Sequence, residues 1–378
     1  MILGIDFGFY SVKVVVFDNN KISVIGEKTI VEDLNRFDPD KIESAHWVSA
    51  FINLCKELKI NPKKINSVVS SIGGKKISIK SITTLEVEEE ELNNILTFEA
   101  KKLVPLDGSD PVIDYHILGQ NNKEIDKIDV ILVATTQKII KAHNQIIKGC
   151  DLKNVIFDAA PISLLNCYKF NYDCPKDNVD VIINIGCLST TIVVHGDNQE
   201  LFTRDIPIGG HQVNLEIMDC KKVDYETAEN NKIEFGLSLF DDNNDSGDSE
   251  TIQIMQRNIF SELSDEIRKT LRYYMKSKTG ISYNKFYISG GSSDMIGLRD
   301  SLNRTLSIEF ELLNPIQKIT CSKKVKNISS YSILIGSVLS KDGIDNKSSS
   351  IKNTISFEDT FIFKTFNTVK GWLINERK

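Results

Sequence analysis

Two stretches of this chain share one pattern of apolar and polar positions. Ile5-Asp6-Phe7-Gly8 leads into Ser11-Val12-Lys13-Val14-Val15-Val16-Phe17-Asp18-Asn19-Asn20. Near mid-chain, Ile183-Asn184-Ile185-Gly186 leads into Ser189-Thr190-Thr191-Ile192-Val193-Val194-His195-Gly196-Asp197-Asn198, each position 178 residues after its counterpart. Each copy predicts an apolar strand, a polar residue and a glycine at the turn, a hydroxyl-bearing bend and a β-branched strand ending in an Asn/Asp turn, which is a β-hairpin. Repetition on this scale predicts a duplicated fold. A third element, Phe286-Tyr287-Ile288-Ser289-Gly290-Gly291-Ser292-Ser293 followed by Met295 to Leu302, reads as strand, Gly-Gly turn, helix.

Between the hairpins the period changes several times. Ile42, Trp47, Val48, Phe51, Ile52, Cys55 and Leu58 have helical spacing within Pro39 to Leu58, and a strand follows at Ile65 to Ile72. Alternation at Ile77, Ile79 and Ile82, an acidic helix start at Glu88 to Glu91 with Ile95, Phe98 and Leu103 beyond it, strands Val112 to Leu118 and Ile128 to Ala134, and helix Gln137 to Lys148 make a β-α-β-β-α block compact enough to be an inserted subdomain. The carboxylates from Glu86 to Glu91 read as solvated first-turn residues favoured by the helix dipole. Strand Val155 to Asp158 and helix Pro161 to Cys167 return to the first core. Later come a helix from Gln212, the segment Tyr225 to Phe235, a polar loop from Asp241 to Glu250 and a long helix from Ile252 to Lys278.

Composition narrows the function class. With 378 residues, 41% of them hydrophobic and 26% charged, the chain can bury two or more cores. A net charge of −6 without a basic stripe argues against nucleic-acid binding, which relies on clustered Lys and Arg. The seven cysteines, an odd number with no Cys-x-x-Cys pair and no neighbouring histidine at zinc-ligand spacing, read as reduced thiols of a cytoplasmic protein; Cys187 reads as a small buried filler. Neither a signal peptide nor a transmembrane run of about 18 apolar residues is present in the pattern.

The hairpins suit phosphate: glycine lets the backbone approach an anion, turn amides and hydroxyls donate, and a leading carboxylate can face a metal-bound water. Two of them facing across a cleft would grip a polyphosphate from both sides. The order hairpin, hairpin, strand-Gly-Gly-helix resembles the phosphate-1, phosphate-2 and adenosine motifs of the actin, Hsp70 and sugar-kinase superfamily.

Within that superfamily one branch is closer. LTFEAKKLVPLDGSDPVIDYHIL at 96–118, DVILVAT at 129–135 and FDAAPISLLN at 157–166 resemble the type IV pilus assembly proteins of the PilM family, and so do IPIGGHQVNLEI at 206–217, AENNKIEFG at 228–236, ISGGSSDMIGL at 288–298 and YSILIGSVL at 331–339. The resemblance covers residues 1 to 340 and implies an α/β fold: a duplicated RNase H-like, actin-like ATPase architecture of two lobes with an inserted FtsA/PilM-type subdomain. On this division the first core comprises 1–72 with 152–178 and the insert 73–151. The second core takes 179–212 with 283–341 and its helical subdomain 213–282. A flexible linker at 342–360 and a C-terminal helix at 361–378 follow.

The resemblance also implies ligands and partners. ATP with Mg2+ would lie between the lobes: Asp6, Gly8, Ser11 and Lys13 would face phosphate, with Asn184, Gly186, Ser189, Thr190 and Thr191 opposite, and Asp6 would hold the metal indirectly through water. Gly209 and Gly210 follow the second hairpin, Lys232 would approach the nucleoside, and Gly290, Gly291 and Ser292 would close over it. The alternative for Lys232 is an ordinary exposed helix lysine. Asn184 departs from the aspartate that usually opens the phosphate-2 motif, which implies weak or absent hydrolysis. Partners would be the N-terminal cytoplasmic peptide of a PilN-like inner-membrane protein, bound with the help of the insert, and other inner-membrane platform components of a pilus or related type II secretion system; self-association is a further expectation. An FtsA-like division protein and a sugar or acetate kinase stay open as alternatives.

The tail has a pattern of its own. After the polar linker, Ile362, Phe366, Val369 and Leu373 share one helical face, with Phe363 and Trp372 at its edges and Lys364, Asn367, Thr368 and Gly371 opposite. Residues 361–374 therefore read as an amphipathic anchor on the inner face of the cytoplasmic membrane, the alternative being a helix that docks on the protein's own core or pairs with another chain.

Overall fold

The alternation read from the sequence becomes three sheets in a computed structural model, which describes residues 1–65, 67–121, 123–153, 155–197, 199–240, 259–278 and 280–349, the last nine as backbone. Strands β1 (Ile2–Phe7), β2 (Ser11–Asp18) and β3 (Lys21–Thr29) form an antiparallel meander. Helix α1 (Ser44–Glu57) packs on it and β4 (Ser67–Ile72) joins parallel to β1. The inserted block follows as β5 (Ser78–Leu85), α2 (Glu89–Ala100), β6 (Pro111–Gln120), β7 (Lys127–Thr136) and α3 (Gln137–Gly149), with a separate antiparallel sheet ordered β5-β7-β6.

Strand β8 (Val155–Ala159) returns to the first sheet beside β4, and α4 (Ala160–Asn171) leads to the second. There β9 (Val179–Ile185), β10 (Thr190–His195) and β11 (Phe202–Ile206) repeat the meander. Helices α5 (Gly210–Lys221), α6 (Tyr225–Phe235) and α7 (Ile259–Ser277) cover its outer face. Strand β12 (Tyr283–Ser289), α8 (Leu298–Leu306) and β13 (Phe310–Leu312) complete it. A short β14 (Thr320–Cys321) pairs with β3, and α9 (Ser332–Ser349) ends the described chain.

The two central helices exchange sheets. Ile162, Leu165 and Tyr168 of α4, which follows a first-sheet strand, pack with Ile182, Val193 and Tyr287 on the inner face of the second sheet. Leu334, Ile335 and Val338 of α9, which comes after the last second-sheet strand β13 and the short β14, pack with Ile2, Val15, Phe17 and Val69 on the inner face of the first. Strand β14 and the start of α9 thus lie on the first sheet, which differs from the assignment of 283–341 to the second core. The apolar face of α9 finds its complement there, because Gly4 of β1 leaves room for it: a Cβ at Gly4 would lie 2.5 Å from Val338 Cγ1. Helix α9 also continues to Ser349, eight residues into the expected linker. The polar loop at 241–250, the start of the long helix at 252–258 and the anchor at 361–374 lie outside the described residues.

Candidate functional site

Side chains alternate across a strand, so the pairing registers decide what each sheet presents to the interior between the lobes. On the first sheet Asp6 stands opposite Lys13, and Lys13 opposite Glu27; beyond the Ile5–Ser70 pair, Ser71 stands beside Asp158. On the second sheet Asp205, Thr191, Asn184 and Ser289 are paired in one row. These are equivalent rows of the duplication: Asn184, Thr191 and Asp205 follow Asp6, Lys13 and Glu27 at the same spacing of 178. Both lie on the faces that also carry the packing of α4 and α9, and both meet the strand ends at the glycine turns.

The first row is charged. Lys13 Nζ donates to Ser11 Oγ at 3.1 Å and pairs with Glu27 at 3.5 Å, while the Ser11 hydroxyl donates to Glu27 Oε2 at 3.1 Å. Loss of water around Asp6 raises its carboxyl above the usual carboxylate range, with the Lys13 and Lys76 ammonium groups opposing. Burial in turn lowers Lys76, whose charge lies over the Phe9 ring, 4.7 Å from its centroid. The turn itself is fixed from below: the Trp47 indole donates to the Gly8 carbonyl at 2.8 Å, and a Cβ at Gly8 would sit 2.9 Å from the Ser11 carbonyl oxygen.

The second turn is held against a helix. Gly210 and His211 N–H groups donate to the carbonyls of Gly186 (2.9 Å) and Cys187 (2.8 Å), and the Gly209 N–H donates to the Gln212 side chain at 2.8 Å. The opening amides of α5 are therefore bonded within the protein, and Gly209 serves close approach, since a Cβ there would lie 2.5 Å from the Cys187 carbonyl oxygen. Gly290, at φ +98°, brings β12's turn under the same strand end, where Ser292 N–H donates to the Ile185 carbonyl at 3.2 Å. A Cβ on Gly210 would meet Ser292 Oγ at 2.7 Å and Lys232 Nζ at 3.3 Å, so these three predicted residues converge.

The lobes meet electrostatically at Cys187. Burial pushes its thiol up to about 12, and the nearby charges of Lys232 from one lobe and Lys13 from the other oppose that shift. Tyr10 joins this group: burial raises its phenol, and Glu229 and Glu27 add to the effect. On the same side of the cleft Gly74, after β4, comes close to Ser189, a Cβ there lying 3.3 Å from its hydroxyl.

Most of the predicted residues are thus gathered around one cleft, with two differences. Thr190 faces the outer core beneath α5 and α7, fully buried, and donates to the Ile208 carbonyl at 2.7 Å; it cannot face phosphate because it is one residue out of phase with Thr191. The Thr191 hydroxyl faces inward but donates to Asp205 at 2.5 Å. Lys232 is not an exposed lysine. It is 9% exposed, pairs with Glu229 at 2.5 Å and donates to the Gly210 carbonyl at 3.4 Å, while Asn214 donates to the same carboxylate at 2.5 Å. The sequence reading missed Glu27, Lys76, Asp158, Asp205 and Glu229. Glu27 and Asp205 could have been found by extending the 178-residue offset into the third strand. Asp158 is raised to about 6 by burial, against hydrogen bonds from Ser163 Oγ (2.7 Å) and the Ala159 amide (2.8 Å).

Comparison with known proteins places this geometry. The family model for type IV pilus assembly protein PilM matches residues 4–333. The chain belongs to that family. Among solved structures it is similar to a PilM–PilN type IV pilus biogenesis complex, with a TM-score of 0.72 and 20% identity over 90% of this chain and 98% of that one. Looser likenesses are ethanolamine utilization protein EutJ from Carboxydothermus hydrogenoformans (TM-score 0.48, 14% identity, 89% of this chain and 88% of that) and MreB5 of Spiroplasma citri bound to AMPPNP (0.47, 12%, 92% and 98%). The fold is the two-lobe actin-like one, and the family's role is type IV pilus assembly. Among the described residues no helix is long and apolar enough to cross a membrane.

Proposed function

We propose that this chain is an ATP-binding adaptor of type IV pilus assembly, acting at the inner face of the cytoplasmic membrane and capturing the cytoplasmic peptide of a PilN-like membrane protein. The observation that carries the nucleotide half is the pair of equivalent polar rows leading to glycine turns on the two sides of one cleft. The residues fit the ligand: Asp6 is a poorly hydrated carboxylate suited to a water-bound Mg2+, Lys13 and Lys76 supply positive charge, and Gly8 and Gly186 keep their turns tight, a Cβ at each lying 2.9 Å from the Ser11 and 3.1 Å from the Ser189 carbonyl oxygen. Gly210, Gly290, Gly291, Ser292 and the Lys232–Glu229 pair would hold the nucleoside end. Thr190 has no part in this reading.

Turnover should be negligible. Asn184 offers no charge to a metal-bound water, and Asp158 is engaged by Ser163 and the start of α4. Calorimetric titration of the purified protein with MgATP should show one binding event, and phosphate release should stay far below one turnover per minute. Absence of heat would overturn the first expectation; several turnovers per minute would overturn the second.

The peptide half rests on the family and on the inserted sheet. In the order β5-β7-β6, strand β6 is an edge whose outer backbone groups face no strand among the described residues, and its bulged end presents Ile117 and Leu118, 46% and 42% exposed. Its start, at Val112, packs on the first core, so an extended peptide could add along this edge between lobe and insert. Ile117→Asp with Leu118→Asp should weaken pull-down of a PilN-like cytoplasmic peptide at least tenfold while leaving circular dichroism unchanged. Undiminished capture by that variant would place the peptide elsewhere.

A further inference from the structure

At the far end of the second sheet from the cleft, roughly 20 Å along its strands, three donors of different chemistry come together. The Cys174 thiol, the His195 ring and the Asp197 carboxylate place one ligand atom each within 4.8 Å of one another. Cys174 sits in the loop between α4 and β9, His195 ends β10, and Asp197 lies in the turn that follows. The backbone builds this approach. Asp197 N–H donates to the Pro175 carbonyl at 3.0 Å, and a Cβ at Gly196 would lie 2.2 Å from the Asn178 carbonyl oxygen, so only glycine lets the turn reach the cysteine loop. His195 is 3% exposed while Asp197 is open to solvent, which gives one buried nitrogen ligand and a route of entry.

We propose that Cys174, His195 and Asp197 bind one zinc-class divalent ion, with solvent in the fourth position. Sulfur, imidazole nitrogen and carboxylate oxygen together suit a borderline-soft, four-coordinate cation and do not suit Mg2+ or Ca2+, which take oxygen ligands. The ion replaces the thiol proton, which leaves to solvent, and bridges the cysteine loop to the β10 turn. Its role there is structural, because the site is remote from the nucleotide cleft.

The full-length chain, stripped with chelator and loaded with Zn2+, should retain one equivalent through desalting. Co2+ in its place should give a thiolate-to-cobalt charge-transfer band in the near ultraviolet. Cys174→Ser should abolish that band and lower retained zinc at least tenfold. Asp197→Asn, at an exposed turn that keeps the fold, should weaken zinc at least tenfold without changing circular dichroism. A Cys220→Ser, Cys321→Ser double variant, which removes an exposed and a part-exposed thiol outside the site, should retain zinc and band in full. Folded wild-type protein that keeps no zinc, zinc retention unaffected by Cys174→Ser, or loss of zinc in the Cys220/Cys321 variant would each overturn the site.

Discussion

Gly336→Ala should lower the unfolding free energy by about 2–3 kcal/mol, although alanine is the better helix former by about 1 kcal/mol. The magnitudes decide the sign. A Cβ at position 336 would lie 1.7 Å from the Ser163 carbonyl oxygen and 3.1 Å from Cys167 Cβ, and the first of these is helical backbone of α4. That oxygen cannot rotate away, so the two helices must separate. Each carries a sheet on its other side, and separation pulls Leu334, Ile335 and Val338 from the first sheet or Ile162, Leu165 and Tyr168 from the second, together with the 2.7 Å Asn166–Ser340 hydrogen bond. Gly291→Ala is the control: no atom lies within 4 Å of its Cβ position, and stability should change by less than about 0.5 kcal/mol. Urea unfolding of both variants checks the pair, and a Gly336→Ala protein as stable as the parent would show that the helices do not cross this closely.

Lys13→Ala should weaken MgATP binding by at least about tenfold, within the roughly 1.5–3 kcal/mol typical of hydrogen bonds to charged groups. The ammonium group stands between Asp6 and Glu27 in the first row and bonds the Ser11 hydroxyl. Its removal takes away a phosphate-facing cation and leaves two carboxylates near the position of a polyanion, so both changes act in one direction. Lys28→Ala separates this from a general loss of charge. Lys28 is opposite Val12 on the outer face of the same sheet and pairs with Glu57 of α1, so affinity should be unchanged. Calorimetry on the two variants provides the comparison; equal loss in both would remove the inner row from the nucleotide site.

The sequence alone determined the elements and their repetition. Strand Val12 to Phe17 and strand Ile192 to Val194 are β-branched and apolar, helix Trp47 to Leu58 has its period of 3.6, and the insert changes period at its borders, because these signals depend on neighbours only a few residues apart. The 178-residue offset carried the first turn's chemistry to the second. Facing was less legible: β10 is buried on both sides, so no apolar-polar alternation told Thr190 from Thr191, and only the register with β9 and β11 placed one outward and the other inward. The burial of Lys232 against Glu229 depended on α5 and α6 packing at Asn214. The membership of α9 in the first lobe depended on a crossing that Gly4 and Gly336 permit but do not announce. Cys174 and His195, 21 residues apart and without metal-ligand spacing, met only because the loop before β9 and the turn after β10 lie at one end of a sheet. Local periodicity is written along the chain, whereas contacts between distant residues follow from strand register and helix crossing, which the folded structure alone sets.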